Sequence, residues 1–80
     1  MENELIYSVP RTYANLASSY GKLGNNAKAN YYFSEGIAMA KKFEVNDELA
    51  YLFKKKSEYK ERAGKSDEAL QLFKKYLYFF

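Results

Sequence analysis

Two ten-residue segments of this chain share glycine, alanine and phenylalanine at an offset of 40 residues. The first segment, GNNAKANYYF, spans 24–33, and the second, GKSDEALQLF, spans 64–73. The three shared residue types stand at 24, 29 and 33 in the first segment and at 64, 69 and 73 in the second. Three matching positions on one period indicate a structural repeat, so the fold is expected to contain two similar units.

Apolar residues in both units recur at intervals of three and four, which is the spacing of an amphipathic helix. The first predicted helix has Ser8 as its N-cap and Pro10 in its first turn, where the missing N–H of proline costs nothing. Gly24 ends this helix, because glycine readily adopts the left-handed conformation of a C-terminal cap. Sustained period-two alternation is missing, so no strand is predicted.

Three further helices are predicted, with Asn26, Asn46 and Ser66 as their N-caps. The second helix runs to about Phe43, and Gly64 closes the third. Every connection is only a few residues long, so neighbouring helices are expected to be antiparallel. The predicted fold is therefore all-α, with four antiparallel helices arranged as two hairpins.

Each predicted helix has one apolar stripe, which we expect to be its buried face. In chain order, the stripes consist of Val9, Tyr13, Leu16, Tyr20 and Leu23; of Ala29, Phe33, Ile37 and Ala40; of Leu49, Leu52, Phe53, Tyr59 and Ala63; and of Ala69, Leu70, Phe73, Tyr76, Leu77 and Phe80.

The chain has 80 residues, enough for one small domain (1–80), and it contains neither cysteine nor histidine. Disulfides, zinc-finger sites, thiol nucleophiles and imidazole bases are therefore excluded. The acidic residues stand mainly at helix starts or on exposed faces, where helix-dipole and capping effects account for them. We predict a protein that is not an enzyme, with no metal site and no cofactor. Residues 1–10 lack the basic start and the apolar core of a signal peptide, and no apolar run is long enough to span a bilayer, so we expect the protein to be cytoplasmic and not in a membrane.

The two units resemble the tetratricopeptide repeat (TPR), a helix–turn–helix unit that stacks into a right-handed superhelix. The resemblance rests on Tyr13, Leu16, Ala17, Tyr20, Gly24, Ala29 and Phe33 in the first unit, and on Phe53, Ser57, Gly64, Ala69 and Phe73 in the second. Three positions depart from the family pattern: Lys56 replaces leucine, Lys60 replaces tyrosine, and Tyr76 replaces a small residue.

This resemblance implies two TPR-like units, 8–45 and 46–80, in a fragment of a right-handed α-solenoid. The usual TPR period is about 34 residues, whereas the period here is 40. The extra residues are expected in the second helix or in the connection at 41–46. Repeats of this longer type resemble those of bacterial signalling and regulatory proteins. The implied function is a protein–protein interaction scaffold within such a protein.

In the TPR family, partners bind on the concave face, which is lined by the first helix of each unit. By that register, the binding residues here are Arg11, Asn15, Ser18, Lys22, Tyr51, Lys54, Lys55, Glu58 and Arg62, with Ala14 beside them. The set is polar with an excess of basic residues, so an acidic or mixed-charge peptide is the expected partner. Plain solvent exposure of these residues is an equally good interpretation. Some TPRs clamp a C-terminal carboxylate with lysine and asparagine, but Ala14 and Ser18 stand at those places here.

The chain ends in YLYFF, inside a predicted helix, with no polar helix after it. Terminal surfaces of repeat arrays are normally covered or polar. We therefore expect either a fragment of a longer array or a homodimer. The residues for such self-association are Tyr76, Tyr78, Phe79 and Phe80.

Basic residues raise a third hypothesis, weak nucleic-acid binding, because the net charge is +3 and 54–56 is a run of three lysines. Consecutive helical residues point about 100° apart, so such a run does not form one face. Glu58 stands four residues from both Lys54 and Arg62 and is expected to pair with them. Lys56 falls on the seam with Leu52, so its stem is expected to be buried and its amine to reach solvent. Nucleic acid is thus an unfavoured partner.

Overall fold

The computed structural model describes the backbone of residues 2–79 and the side chains of residues 9–79. Four helices cover nearly all of this range: α1 (Glu2–Lys22), α2 (Asn26–Lys42), α3 (Asn46–Arg62) and α4 (Ser66–Leu77). No strand occurs between residues 2 and 79. The all-α prediction with four helices is confirmed.

The three connections between the helices share one geometry and follow each other at intervals of 20 residues. In each, one residue has a left-handed backbone: Gly24 (φ 82°), Glu44 (φ 55°) and Gly64 (φ 80°). The next residue donates its N–H to the carbonyl five positions earlier, as Asn25 does to Tyr20 over 2.9 Å. This pairing is the Schellman motif. The glycine stops were predicted, but the same turn at Glu44 was not.

The predicted N-caps of the last three helices are each wrong by one residue. Asn25 caps α2, and its Oδ1 accepts a hydrogen bond from the Lys28 N–H over 3.2 Å. Val45 and Lys65 occupy the cap positions of α3 and α4 and provide no side-chain hydrogen bond. The Schellman turn fixes these boundaries, because the residue whose N–H completes the turn is also the N-cap of the next helix. Asn26, Asn46 and Ser66 are therefore the first helical residues.

The predicted start of α1 is also wrong, because the helix extends back to Glu2 and Pro10 lies inside it. Ser8 is consequently not an N-cap. Pro10 is among the most completely buried residues of the chain. Its carbonyl oxygen lies close to Gly36 of α2, at 3.4 Å from where a Cβ of that residue would be. Burial against α2 offsets the loss of one backbone hydrogen bond in the helix.

The helices pack in an open arrangement in which α3 is central. Helix α1 contacts α2 and α3, and α2 also contacts α3, whereas α4 contacts α3 alone among the described residues. Paired contacts at successive levels, Arg11 with Glu48 and Asn15 with Tyr51, show that α1 and α3 run parallel. Because α1 and α4 do not meet, the four helices do not close into a bundle.

The core lies where α3 packs on the α1–α2 hairpin. The predicted buried residues Ala29, Phe33, Ala40, Leu49, Leu52, Phe53 and Tyr59 are all buried there. Leu52 and Phe33 are completely inaccessible to solvent. Tyr32, next to Phe33, stacks on Tyr20 of α1 with ring centroids 5.7 Å apart. Tyr32 and Phe33 of α2 therefore serve packing between helices, whereas Tyr31 is 57% exposed.

The predicted apolar stripe of α1 is wrong in part. Leu16 and Leu23 are 37% and 80% exposed, whereas Ala14 and Ala17 are completely buried. Helix α1 has two neighbours, α2 and α3, so it buries two strips of surface and the small residues face the closest approach. Ala63, which was placed on the buried face of α3, is also exposed, because it forms the C-cap at the end of the helix.

The predicted buried face of α4 is largely exposed. Leu70, Phe73 and Leu77 are 53%, 42% and 51% exposed, and Ala69 is the one buried residue of this helix. Within residues 2–79, helix α4 packs on α3 alone, so its stripe is covered on one side. Phe80 lies outside the described residues.

Candidate interaction surfaces

All nine predicted partner-binding residues lie on the two parallel helices α1 and α3, and eight of them share one surface. We call these eight the α1/α3 surface; they are Arg11, Asn15, Ser18, Lys22, Tyr51, Lys55, Glu58 and Arg62. Five of them are exposed, and Ser18, Tyr51 and Lys55 are half-buried. Direct packing of α1 against α3 makes this one continuous polar surface.

A row of hydrogen-bonded and stacked side chains crosses the N-terminal half of this surface. The Tyr51 hydroxyl donates to Asn15 Oδ1 over 2.7 Å. Arg11 Nε lies 3.2 Å from Glu48 Oε2, and the Arg11 guanidinium carbon is 4.5 Å from the centre of the Tyr51 ring. These contacts hold an arginine and a tyrosine in fixed orientations. Both residue types are enriched where proteins bind each other tightly.

A small cleft of about 60 Å³ lies at the C-terminal half of the same surface. It is lined by Ser18, Lys22, Lys55, Glu58, Tyr59 and Arg62. Lys55 Nζ lies 3.7 Å from Glu58 Oε1, which partly neutralises both groups. Among the described side chains, Lys22 and Arg62 make no ion pair, so the cleft has two cations available to a ligand. The predicted pairs of Glu58 with Lys54 and Arg62 do not form, since Lys55 takes that place.

Lys54, the ninth predicted binding residue, and Ala14, which was predicted beside the set, point elsewhere. Lys54 is directed to α4, where its Nζ is 5.8 Å from the centre of the Tyr76 ring. Ala14, which was expected to face away from the neighbouring helix, is completely buried. It faces the seam between the helices because α3 docks on that side of α1.

The C-terminal aromatic group, Tyr76, Tyr78, Phe79 and Phe80, does not form one exposed patch among its described members. Tyr76 and Phe79 are half-buried, and the Phe79 ring is 6.2 Å from the Phe53 ring of α3. Tyr78 is 88% exposed. Of the described members, Tyr78 alone is thus fully available for self-association.

Lys56 lies partly buried between α3 and α4, as expected from its position on the seam. Burial lowers the pKa of its ammonium group, and the positive charges of Lys60 and Lys75 lower it further. Glu68 acts in the opposite direction. The cationic form of this residue is therefore held at some cost within the fold.

An additional cleft, which we did not predict from the sequence, lies between α3 and α4. We call it the α3/α4 cleft; it has a volume of about 300 Å³ and is lined by Ser57, Glu61, Ser66, Ala69, Leu70 and Phe73. Ser57 is buried, and its hydroxyl donates to the Ala69 carbonyl over 2.8 Å, which fixes the distance between the two helices. The 40-residue offset contained the signal for this cleft, since Ala69 and Phe73 repeat two buried residues of the first unit.

Among the described residues, no three acidic side chains converge in a way that could hold a metal ion. Each helix in this part of the chain is also too short or too polar to traverse a lipid bilayer. No protein-family model, no curated protein and no solved structure significantly matches the chain.

Proposed function

We propose that this protein is a non-enzymatic interaction module of the TPR-like type, which binds an acidic or mixed-charge peptide of a partner on the α1/α3 surface. The observation that carries the proposal is the alignment of α1 and α3 side by side and parallel. This alignment joins residues 37 positions apart, such as Arg11 and Glu48, into one surface. An extended peptide lying along both helices would meet the fixed arginine and tyrosine first and the two cations of the cleft next.

The electrostatics favour an acidic ligand over a basic one. Lys22 and Arg62 border the cleft of about 60 Å³, and Arg11 stands at the other end of the surface. Glu48 balances Arg11 and Glu58 balances Lys55 through their ion pairs, which leaves the basic excess at the cleft, on Lys22 and Arg62. Opposite charges arranged in this way raise the association rate and fix the direction of a peptide.

The proposal is tested by fluorescence anisotropy with fluorescein-labelled peptides of acidic, mixed and basic composition. The acidic and mixed peptides are expected to bind, and Tyr51→Ala or Arg62→Ala is expected to weaken binding by about tenfold. Lys41→Glu is the matched control, since this exposed lysine lies on α2, away from the surface. Circular dichroism checks that each variant keeps its helix content.

Two results would contradict this function. Equal binding of acidic and basic peptides would remove the electrostatic argument, and loss of binding in Lys41→Glu would show that net charge matters more than location. A short DNA duplex forms the third arm of the experiment. Binding to DNA that falls steeply with salt would favour the nucleic-acid hypothesis instead.

The alternative is self-association through the C-terminal aromatic group, and the 88% exposure of Tyr78 favours it. Light scattering over a range of protein concentrations distinguishes a monomer from a dimer. A dimer that Tyr78→Glu dissociates would support this alternative. A chain that remains monomeric throughout would exclude it.

A further inference from the structure

A cleft of about 390 Å³ lies over α3 between α2 and α4, and we call it the α2/α4 cleft. Helices α2 and α4 both contact α3 but, among the described residues, not each other. The floor of the cleft is apolar. It includes Leu49 and Phe53 of α3, which are both 7% exposed, and Phe79, whose ring centroid is 6.2 Å from that of Phe53.

The rim of this cleft is basic. Lys41 of α2 and Lys74 and Lys75 of α4 line it, and all three side chains are exposed. Within the described part of the chain, none of the three lysines forms an ion pair, and no acidic side chain lines the cleft. Lys75 Nζ lies 5.7 Å from the centre of the Phe53 ring, so one positive charge stands directly beside the apolar floor. A ligand that fits both parts has an apolar group and an anionic group.

The first unit has a cleft at the equivalent place. That cleft has a volume of about 210 Å³, and the residues that line it include Tyr13, Glu35, Ala38 and Met39. Adding 40 to these positions gives residues that line the α2/α4 cleft, which are Phe53, Lys75, Tyr78 and Phe79. The first cleft is open although α3 and α4 follow it in the chain. An open cleft at this place is therefore a property of the repeat itself.

Two substitutions between the units adapt the second cleft to an amphiphilic anion. Lys75 stands where the first unit has Glu35, whose carboxylate accepts a hydrogen bond from the Tyr31 hydroxyl over 3.3 Å. Tyr78 stands where the first unit has Ala38, so an aromatic ring extends the wall of the second cleft. The α2/α4 cleft is thus larger and more basic than its counterpart.

We infer that the α2/α4 cleft binds a small amphiphilic anion, with an alkyl chain on the apolar floor and a carboxylate among the three lysines. Sites for small molecules have volumes of about 300–1,000 Å³, mostly apolar linings and a few polar groups that fix the orientation of the ligand. The free molecule, and not a lipid surface, is the ligand, because Leu49 and Phe53 are recessed between helices. A single chain reaches them, whereas the flat surface of a bilayer does not.

Isothermal titration calorimetry of the full 80-residue chain with decanoate, below the concentration at which decanoate forms micelles, tests this inference. Decanoate is expected to bind with a dissociation constant of about 1 mM or lower. Acetate has the carboxylate without the chain, and decyltrimethylammonium has the chain with the opposite charge. Each is expected to bind at least about tenfold more weakly, because each matches only one part of the cleft.

Two variants give the second cleft the residues of the first. Lys75→Glu is expected to weaken decanoate binding about tenfold, and Tyr78→Ala about fivefold. Both side chains are exposed, so the fold is expected to persist, and circular dichroism checks this. Lys28→Glu is the matched control. It makes the same change of charge at an exposed position near the other end of α2, outside the cleft, and should leave binding unchanged.

Backbone amide chemical shifts locate the bound decanoate, with changes expected at Phe53, Gln71 and Lys75. Changes centred on Lys22 and Arg62 would place the anion on the α1/α3 surface and overturn the inference. So would absence of binding, equal binding of decyltrimethylammonium, or full binding by Lys75→Glu. Binding to vesicles of anionic phospholipid without binding of free decanoate would assign the cleft to a membrane surface instead. A concentration-dependent dimer that Tyr78→Ala dissociates would assign it to a second copy of the chain.

Discussion

The phenol ring of Tyr59 in α3 lies directly on the backbone of Gly21 in α1. A Cβ atom at Gly21 would be 2.6 Å from Tyr59 Cδ1 and 2.9 Å from Cε1. The ring is held in place, because its hydroxyl donates to Asn26 Oδ1 over 2.8 Å and its face packs near Phe33. The missing side chain at Gly21 therefore sets how closely α1 and α3 approach, and with it the width of the α1/α3 surface.

Gly21→Ala is expected to lower the free energy of unfolding by about 1–2 kcal/mol. The gain in helix propensity from alanine is smaller than the cost of moving a hydrogen-bonded ring out of contact. Urea unfolding followed by circular dichroism measures the change. In a Tyr59→Leu background the penalty should largely disappear, since the ring is gone. An equal penalty in both backgrounds would show that the ring contact is not the cause.

Glu44 adopts a left-handed backbone (φ 55°) that costs a non-glycine residue about 1–2 kcal/mol. Glu44→Gly is therefore expected to raise the free energy of unfolding by about 1 kcal/mol. This value already allows for the conformational entropy that glycine adds to the unfolded chain. Glu44→Ala is the control for loss of the carboxylate and should give no such gain. Gly64→Ala, at the equivalent turn, should lower stability by about the same amount. Thermal unfolding of the three variants checks these signs.

The sequence allowed prediction of the four helices and of the stops at Gly24 and Gly64, because periodicity and glycine chemistry are local properties. The turn at Glu44 was missed, since its left-handed backbone has no glycine to signal it. Ala14 and Phe73 were misplaced for a different reason. A stripe of apolar residues indicates that a helix has a buried face, but not how many neighbours cover it. In the part of the chain that the structure describes, helix α1 has two neighbours and α4 has one.

For the candidate surfaces, too, local properties could be predicted and properties of the packing could not. Residues of the α1/α3 surface could be predicted, because a helical register fixes which positions share a face. The direction of the Lys54 side chain could not be predicted, since it depends on where the Tyr76 ring of α4 lies. The α3/α4 cleft depends on which equivalent position is left uncovered, and that is a property of the packing.

The lowered pKa of Lys56 predicts a pH dependence of stability. The pKa of lysine in the unfolded chain is about 10.4. At pH values between the lowered folded-state pKa and this value, the unfolded chain therefore binds more protons than the folded protein. Stability from this group therefore rises with pH across that interval and is lowest below it. Burial is the main cause of the shift, ahead of repulsion from Lys60 and Lys75.

Lys56→Met is accordingly expected to be more stable than the wild type at pH 7, with an advantage that shrinks as pH rises towards 10. Urea unfolding at several pH values measures both effects. Lys54→Met, in the same helix but exposed, is the control for the loss of one lysine charge. A constant difference between Lys56→Met and the wild type would mean that packing of the methionine, and not the charge, accounts for the gain.

Phe33 and Phe73 provide the sharpest comparison between the two units, because the same residue stands in the same place with and without a covering helix. Phe33→Ala should cost about 3–5 kcal/mol, as is usual for a completely buried phenylalanine. Phe73→Ala should cost far less, about 1 kcal/mol, in proportion to the contacts it now makes. Phe33→Ala also weakens the attachment of α3 to the first hairpin. The whole chain of this variant should therefore unfold in one cooperative transition. Similar costs for the two variants, measured by urea unfolding, would mean that Phe73 is covered in solution and that the α3/α4 cleft is closed.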